Sequence, residues 1–206
     1  MPPARGAPAR RLLLLLATLT GTLLIYYFHP GRTVSLSDLN GVAEAARARD
    51  EQHFSPAENL EQLDHERLER ARHTIDIAMY AFTDRYLAEE LVTIARRGVR
   101  IRIYRDRQQY EEEQRNARER NRPSTSEMLR GESNIQLRIK AAHELMHLKA
   151  YLVDGRLLRD GSANWSSSGL KRQDNNLHFT ADPAQVRVFQ QEFEQMWNRP
   201  DNEKAQ

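Results

Sequence analysis

The sequence predicts an α/β domain in which a mixed β-sheet lies between helical layers, preceded by an N-terminal transmembrane helix. Three observations predict it. A strand-forming run, an amphipathic stretch and a second strand-forming run follow one another between Thr74 and Tyr104. Leu148 to Leu158 reads as strand, Asp-Gly turn and return strand. Pro183 to Trp197 closes the chain with apolar residues at helical spacing. Strand–helix–strand gives a parallel pair and a hairpin gives an antiparallel one, so the sheet is mixed.

The chain opens with Leu12 to Phe28, LLLLLATLTGTLLIYYF, 17 residues without a charge. That is the short end of what a bilayer-spanning helix needs. Five consecutive leucines have no amphipathic period, which argues against a buried core helix. Arg5, Arg10 and Arg11 precede the run, and Tyr26, Tyr27 and Phe28 end it as an interfacial belt would. The expectation is a retained single-pass anchor with its N-terminus in the cytoplasm. The rest of the chain then lies across the membrane, in the periplasm if the cell is Gram-negative. Secretion to the periplasm after signal cleavage, near Ala43 to Ala46, is the alternative. Residues 1–30 are thus assigned to stub and anchor, 31–50 to an Ala-, Arg- and Ser-rich linker, and 51–200 to the folded domain.

Within the domain, residues 57–72 are expected to be helical, with Leu60, Leu63 and Leu68 on one face. TIDIAMYAF (Thr74 to Phe82) is rich in strand formers. Asp84 is placed to cap a helix running to Arg97, with Leu87, Leu91 and Ile94 inward and Gly98 at its end. VRIRIY (Val99 to Tyr104) alternates apolar residues with Arg, a strand with one wet face, joined to the previous one by a right-handed crossover. Gln108 to Arg122 mixes Glu with Arg. It reads as a solvated helix stitched by i,i+4 pairs such as Glu111 with Arg115, and Pro123 stops it. The alternative is that its Arg-rich end borders a substrate groove. Ile135 to Ile139, Leu148 to Val153, the return at Leu157-Leu158 and Asn176 to Thr180 complete the strands. The last helix presents Val186, Phe189, Phe193, Met196 and Trp197.

Composition narrows the chemistry. At 39% hydrophobic and 29% charged residues, the chain is built like a folded globular domain. It has no Cys, which excludes disulfides, thiolate metal sites and thiol catalysis. The formal charge is +2. Leaving out the three arginines ahead of the apolar run brings it to −1. A polyanion must therefore be met by a local patch and not by the whole surface.

The chemistry-bearing residues concentrate in HLKAYLVDGRLLRDGSAN, which reads H-x-K-x4-D-x6-G-S-x-N: His147, Lys149, Asp154, Gly161, Ser162 and Asn164. On a strand, residues two apart face the same way, so His147 and Lys149 present a nitrogen nucleophile beside a cation. That pairing suits attack on a phosphodiester. Chance alone produces such a match about once in a million chains of this composition. His143, Glu144 and His147 also spell H-E-x-x-H, a zinc-peptidase pattern when it lies on a helix. The residues that follow, LKAYLVDG, read as strand and turn, which weakens a zinc site. No metal and no cofactor is expected.

The longer motif resembles the signature of the phospholipase D superfamily, in its single-motif branch of small bacterial endonucleases and mitochondrial cardiolipin hydrolases. HFSP (His53 to Pro56), IDIAMYAFTD (Ile75 to Asp84), RRGVRIRI (Arg96 to Ile103) and SANWSSSGL (Ser162 to Leu170) extend the likeness over roughly residues 50–200. The resemblance implies a phospholipase D-like α-β-α sandwich. In that family two motif copies form one site, so a one-copy chain implies a homodimer with a shared active site. It also implies metal-independent phosphodiester hydrolysis through a phosphohistidine on His147. Lys149 and Asn164 would then hold phosphate oxygens, with Ser162 assisting. Asp154 is grouped with them, more as a loop organiser than as a reactant, and Gly161 allows close backbone approach. Where the endonucleases place an acid that orients the histidine, this chain has Asn175, with Asp174 beside it. His53 gains interest from HFSP alone. Nucleic acid is the substrate first expected. Phospholipid head groups come second, a catalytically weak binding scaffold third, and a zinc peptidase last.

Overall fold

Why the motif residues collect at one end of the sheet follows from strand order and register. The computed structural model describes residues 50–205. The expected membrane anchor and linker lie outside the described residues. Among the described residues no helix is long and apolar enough to cross a membrane. The elements are β1 (Glu51–Ser55), α1 (Leu60–Leu68), β2 (Thr74–Met79), α2 (Arg85–Arg96), β3 (Arg100–Arg105), α3 (Arg107–Glu119) and α4 (Thr125–Leu129). There follow β4 (Ile135–Ile139), β5 (Lys149–Val153), β6 (Leu157–Gly161), α5 (Ser167–Lys171), β7 (Asn175–Thr180), α6 (Pro183–Trp197) and β8 (Glu203–Lys204).

The strands form one sheet in the order β1-β7-β6-β5-β2-β3-β4-β8. β2, β3 and β4 run parallel, and every other neighbouring pair is antiparallel. The mixed sheet is thus as expected. Register brings Met79 opposite Lys149, Gly161 opposite Leu177 and Ser55 opposite Asn175. One end of the sheet therefore gathers the last residues of β1, β2 and β6 and the first of β5 and β7.

One face carries Ile75, Ile77, Ile101, Ile103, Tyr151, Val153, Leu177 and Phe179, packed against Leu60 and Leu68 of α1, Leu87, Leu91 and Ile94 of α2, Leu129 of α4 and Leu170 of α5. The opposite face is covered by α6, whose Phe193, Met196 and Trp197 meet Ala78 and Tyr104, while Val186 meets Leu152 and Leu158. Burial of this apolar surface on both faces is the main stabilising contribution. α6 matches the predicted bounds, with Asp182 as its N-cap and Pro183 in its first turn.

Three expectations need correction. The Arg face of β3 is not wet along its length. Arg102 forms a bidentate pair with Asp76 at 2.7 and 2.8 Å, reaches Glu194 at 2.6 Å and lies over the Phe193 and Trp197 rings. An amphipathic arginine with two carboxylates and two aromatic faces is cheaper to cover than to solvate. On α3 the i,i+4 pair that forms is Arg107 with Glu111 at 3.9 Å, in place of Glu111 with Arg115. Its Glu113 is not solvated either: it is buried and bonded to the buried Arg105 at 2.8 Å. β1, α4, α5 and β8 had no periodicity to announce them. α4 and α5 have five residues each, too few to show a helical repeat, although Ser124 and Glu127 do form a capping box.

Asp84 caps α2, its Oδ1 accepting from the Leu87 N–H at 3.2 Å. Burial, with a further push from the neighbouring Glu61 side chain, raises its carboxyl from 3.8 to about 6. A raised acid favours the folded state only while protonated. Its contribution is full below pH 4, declines from there and is lost as pH rises through 6. Asn retains the capping oxygen without the charge. Asp84→Asn is therefore expected to stabilise the protein at pH 8 by about 1–3 kcal/mol and to lose that advantage as pH falls to about 4. Urea denaturation at the two pH values measures the difference.

Candidate active site

Lys149 is the first residue of β5 and is buried. His147 lies just before the strand and is exposed. Tyr80 N–H donates to the Leu148 carbonyl at 2.9 Å, so the segment still tracks β2. Upstream, the buried Asp106 caps α3 and accepts from the Met146 N–H at 2.9 Å. The approach to His147 is thereby fixed on both sides. The residue-two spacing does what was predicted: Lys149 Nζ is 3.0 Å from His147 Nδ1 and donates to the His147 carbonyl at 2.7 Å. The Tyr80 ring lies beneath both, 4.4 Å from the imidazole centroid and 4.8 Å from Nζ. Burial first, and the Arg159 charge second, hold the Lys149 ammonium below its ordinary 10.5. An ammonium so placed is poorly hydrated, and an incoming anion meets it at little desolvation cost.

The G-S-x-N segment leaves β6 at the same end. Asn164 Oδ1 accepts from the Ala81 N–H at 3.3 Å, one residue from Tyr80, which leaves its NH2 group to donate. Ser162 Oγ donates to Asn175 Oδ1 at 2.8 Å and accepts from the Asn176 N–H at 3.0 Å. Gly161 has φ +146°, and a Cβ there would fall 2.4 Å from the Asn176 carbonyl oxygen and 3.0 Å from Leu177 Cα. Both are backbone atoms of the paired strand and cannot yield cheaply. Gly161→Ala is expected to cost about 3 kcal/mol or more through this overlap and the backbone strain. Thermal denaturation would register it as a large fall in Tm.

Not every predicted residue joins the site. Asp154 sits beyond the opposite end of β5, about 16 Å away along a five-residue strand at 3.3 Å per residue. Its carboxylate accepts from the backbone N–H groups of Arg72, His73 and Thr74 at 2.8–2.9 Å. It organises the β5–β6 turn and anchors it to the start of β2. His53 is held by Glu58 at 2.8 Å and Glu51 at 3.4 Å and packs edge-on to Phe179, away from His147. Neither expected orienting residue touches the imidazole. Asn175 is taken up by Ser162, by the Gly169 carbonyl at 2.9 Å and by Gln173 at 3.3 Å, and Asp174 is exposed. Lys149 and Tyr80 occupy the flanks of the ring instead. Residues 141–148 form no helix, so the two histidines of H-E-L-M-H do not stand one turn apart on one face, as a zinc peptidase requires.

Sequence reading missed Tyr80 and a buried network behind the pair. Arg159, Asp64, Tyr151 and Trp165 are all fully buried. Asp64 accepts from Arg159 Nε and Nη2 at 3.2 Å, from Tyr151 Oη at 3.0 Å and from Trp165 Nε1 at 2.8 Å. The visible signal was an arginine inside the apolar-flanked strand LLRDG. A charge there needs a buried partner.

A paired imidazole and ammonium thus stand at one end of the sheet of an α/β sandwich, with an amide and a hydroxyl presented by a G-S-x-N turn. The chain belongs to the phospholipase D-like family: residues 65–197 match the family described as cardiolipin synthase, PLD-like domain. Among curated relatives it is similar to the mitochondrial cardiolipin hydrolase of Drosophila melanogaster, 32% identical over 152 residues, covering 64% of this chain and 56% of that protein. The Homo sapiens protein of the same name is 30% identical over 129 residues, covering 63% and 47%. The chain thus spans about half the length of the curated relatives it matches. In fold it is similar to NucT from Helicobacter pylori (TM-score 0.66, 21% identity, 76% of this chain and 99% of that one). Nuc from Salmonella typhimurium, a phospholipase D family member, gives a TM-score of 0.62 at 20% identity, covering 77% and 98%.

Proposed function

We propose that this protein hydrolyses phosphodiesters through a covalent phosphohistidine, with His147 as nucleophile. The observation that carries the reading is the 3.0 Å contact between Lys149 Nζ and His147 Nδ1 above the Tyr80 ring. With Nδ1 accepting from the ammonium, the ring is neutral and carries its proton on Nε2; the copy that donates to a leaving oxygen is the imidazolium, protonated on both nitrogens and released from Lys149. When a phosphate arrives, its oxygens draw Lys149 off the ring, and the tautomer with the proton on Nδ1 exposes the Nε2 lone pair.

The chain carries one motif, so the second histidine comes from a second copy in a two-fold dimer. His147 Nε2 attacks phosphorus and forms the N–P bond. The P–O bond to the leaving group breaks, and the leaving oxygen takes a proton from Nε2 of His147 of the partner subunit, which enters the step as imidazolium and leaves it neutral. Water then attacks phosphorus, giving its proton to that same partner imidazole, and the N–P bond breaks. Lys149 and Asn164 stabilise the charge on the non-bridging oxygens. No step needs a metal.

Nucleic acid is the substrate of first choice. Arg118, Arg120 and Arg122 at the end of α3 are exposed, and among the described residues they form no ion pair. Such a patch suits a phosphate backbone. The names of the curated relatives favour a second reading, cardiolipin, which the apolar run at residues 12–28 would place beside its substrate at a membrane. In that arrangement the domain faces the periplasm behind a single-pass anchor.

Full-length protein incubated with single-stranded DNA, RNA, duplex DNA, and cardiolipin or phosphatidylcholine vesicles, each with and without EDTA, separates these readings. EDTA-resistant nucleic-acid cleavage supports the first and phosphatidate release from cardiolipin the second. Cleavage lost in EDTA and restored by zinc overturns the histidine scheme. No turnover on any substrate favours a binding scaffold.

A further inference from the structure

The catalytic reading uses the exposed half of the motif and leaves unexplained a fully buried ion pair directly behind it. Arg159 of β6 and Asp64 of α1 lie 95 residues apart in sequence, and neither is exposed. Asp64 takes only part of the guanidinium. Arg159 Nη1 donates to the Lys149 carbonyl at 2.7 Å, and Nη2 donates to the Ala163 carbonyl at 3.2 Å. Lys149 belongs to the arm that carries the imidazole. Ala163 lies between Ser162 and Asn164 on the other arm. One planar, rigid group therefore spans both halves of the motif.

We propose that Arg159, anchored by Asp64, is a positioning residue that sets the spacing between the His147–Lys149 arm and the Ser162–Asn164 arm. The inference rests on the proposed use of those arms in phosphoryl transfer. The geometry suits the task. Five donors in a fixed fork give Arg a directional grip on several oxygens that a lysine cannot match. Trp165 and Tyr151 complete the cage, with Trp165 Nε1 and Tyr151 Oη both donating to Asp64. The Asp64 carboxylate is thus held from three sides and cannot swing away with its arginine. A buried pair kept only for stability is readily replaced by apolar residues of like volume. Here the arginine's remaining donors are spent on the backbone of the functional segments.

A second effect follows from position. Lys149 is faced by His147 from the preceding turn, by Tyr80 beyond β2 and by Arg159 from β6. Arg159 is the nearby fixed cation, and its charge adds to burial in favouring loss of the Lys149 proton. Removing it moves the Lys149 titration to higher pH.

The test uses the full chain in two variants: Arg159→Met combined with Asp64→Leu, which deletes the pair without stranding a charge, and Arg159→Lys, which retains the cation but not the fork. Turnover of bis(4-nitrophenyl) phosphate and the Lys149 titration, followed through its 13Cε resonance, are measured with Tm. The expected result is kcat about 10- to 100-fold lower in both variants, KM within about threefold, and a Lys149 titration shifted up in the Met/Leu variant. Folded variants with undiminished kcat overturn the proposal. If the Met/Leu chain does not fold, Arg159→Lys alone decides on the same criterion. A parent without turnover counts against the catalytic reading and not against this one. The resonance then decides, and an unmoved Lys149 titration refutes the coupling to Arg159.

Discussion

Replacing His147 by Ala is expected to lower kcat/KM by at least about 10³-fold, because nothing else in the site can form the covalent intermediate. The fold should not notice. His147 is exposed, and its contacts are the Lys149 ammonium and the Tyr80 ring face. Surface substitutions away from packed groups usually change stability by no more than about 0.5 kcal/mol. Loss of activity with an unchanged Tm is thus the signature of a reacting residue. Mixing adds a sharper reading. If each dimer needs two intact histidines, random pairing of parent and variant in equal amounts leaves about a quarter of the activity, where independent sites would leave about half. Activity of the mixture, titrated against the fraction of variant, distinguishes the two curves. Retention of turnover in the Ala variant would remove the imidazole from the mechanism.

The features legible in the sequence were those whose cause is local. The H-x-K pair needs only extended backbone to bring two side chains together, and His147 just ahead of β5 has it. Asp84 announced the start of α2, and the Val186–Trp197 stripe announced the helix that covers the second face. What escaped notice depends on distant partners. Arg159 shows locally only as a charge in an apolar-flanked strand, and only the fold reveals Asp64, 95 residues earlier, as its counterion. Tyr80 reads as the end of a strand until His147 lies on its ring. Asp154, a loop organiser away from the other motif residues, shows the same dependence on the fold. A motif compact in sequence need not be compact in space, because a five-residue strand carries its two ends to opposite sides of a sheet. The spare Glu113 of a charge-rich helix was likewise indistinguishable from its solvated neighbours until Arg105 came to meet it.

Lys149 makes the second large prediction, and here activity and stability should move in different directions. Its side chain is almost wholly buried, and burial with the Arg159 charge disfavours the ammonium. A lysine whose folded pKa is depressed binds its proton less well folded than unfolded, so it opposes folding at neutral pH, and that cost is relieved only as pH rises past its titration. Lys149→Met keeps the stem and deletes the charge. It is expected to leave stability unchanged or raised by about 1 kcal/mol at pH 7. It should lower kcat by about 10²- to 10³-fold, the usual loss when a donor to a developing oxyanion is removed from a partly dry site. Lys149→Arg should also lose activity, by about tenfold or more, since a planar fork does not fit where a compact ammonium bridges an imidazole nitrogen, a carbonyl and an aromatic face. The pH profile supplies the sign. The cationic form is the working one, so turnover should fall on the alkaline side at a pH below the 10.5 of an ordinary lysine, and that limb should be absent from the residual activity of the Met variant. A Met variant with parental kcat and the parental alkaline limb would take the ammonium out of the reaction altogether.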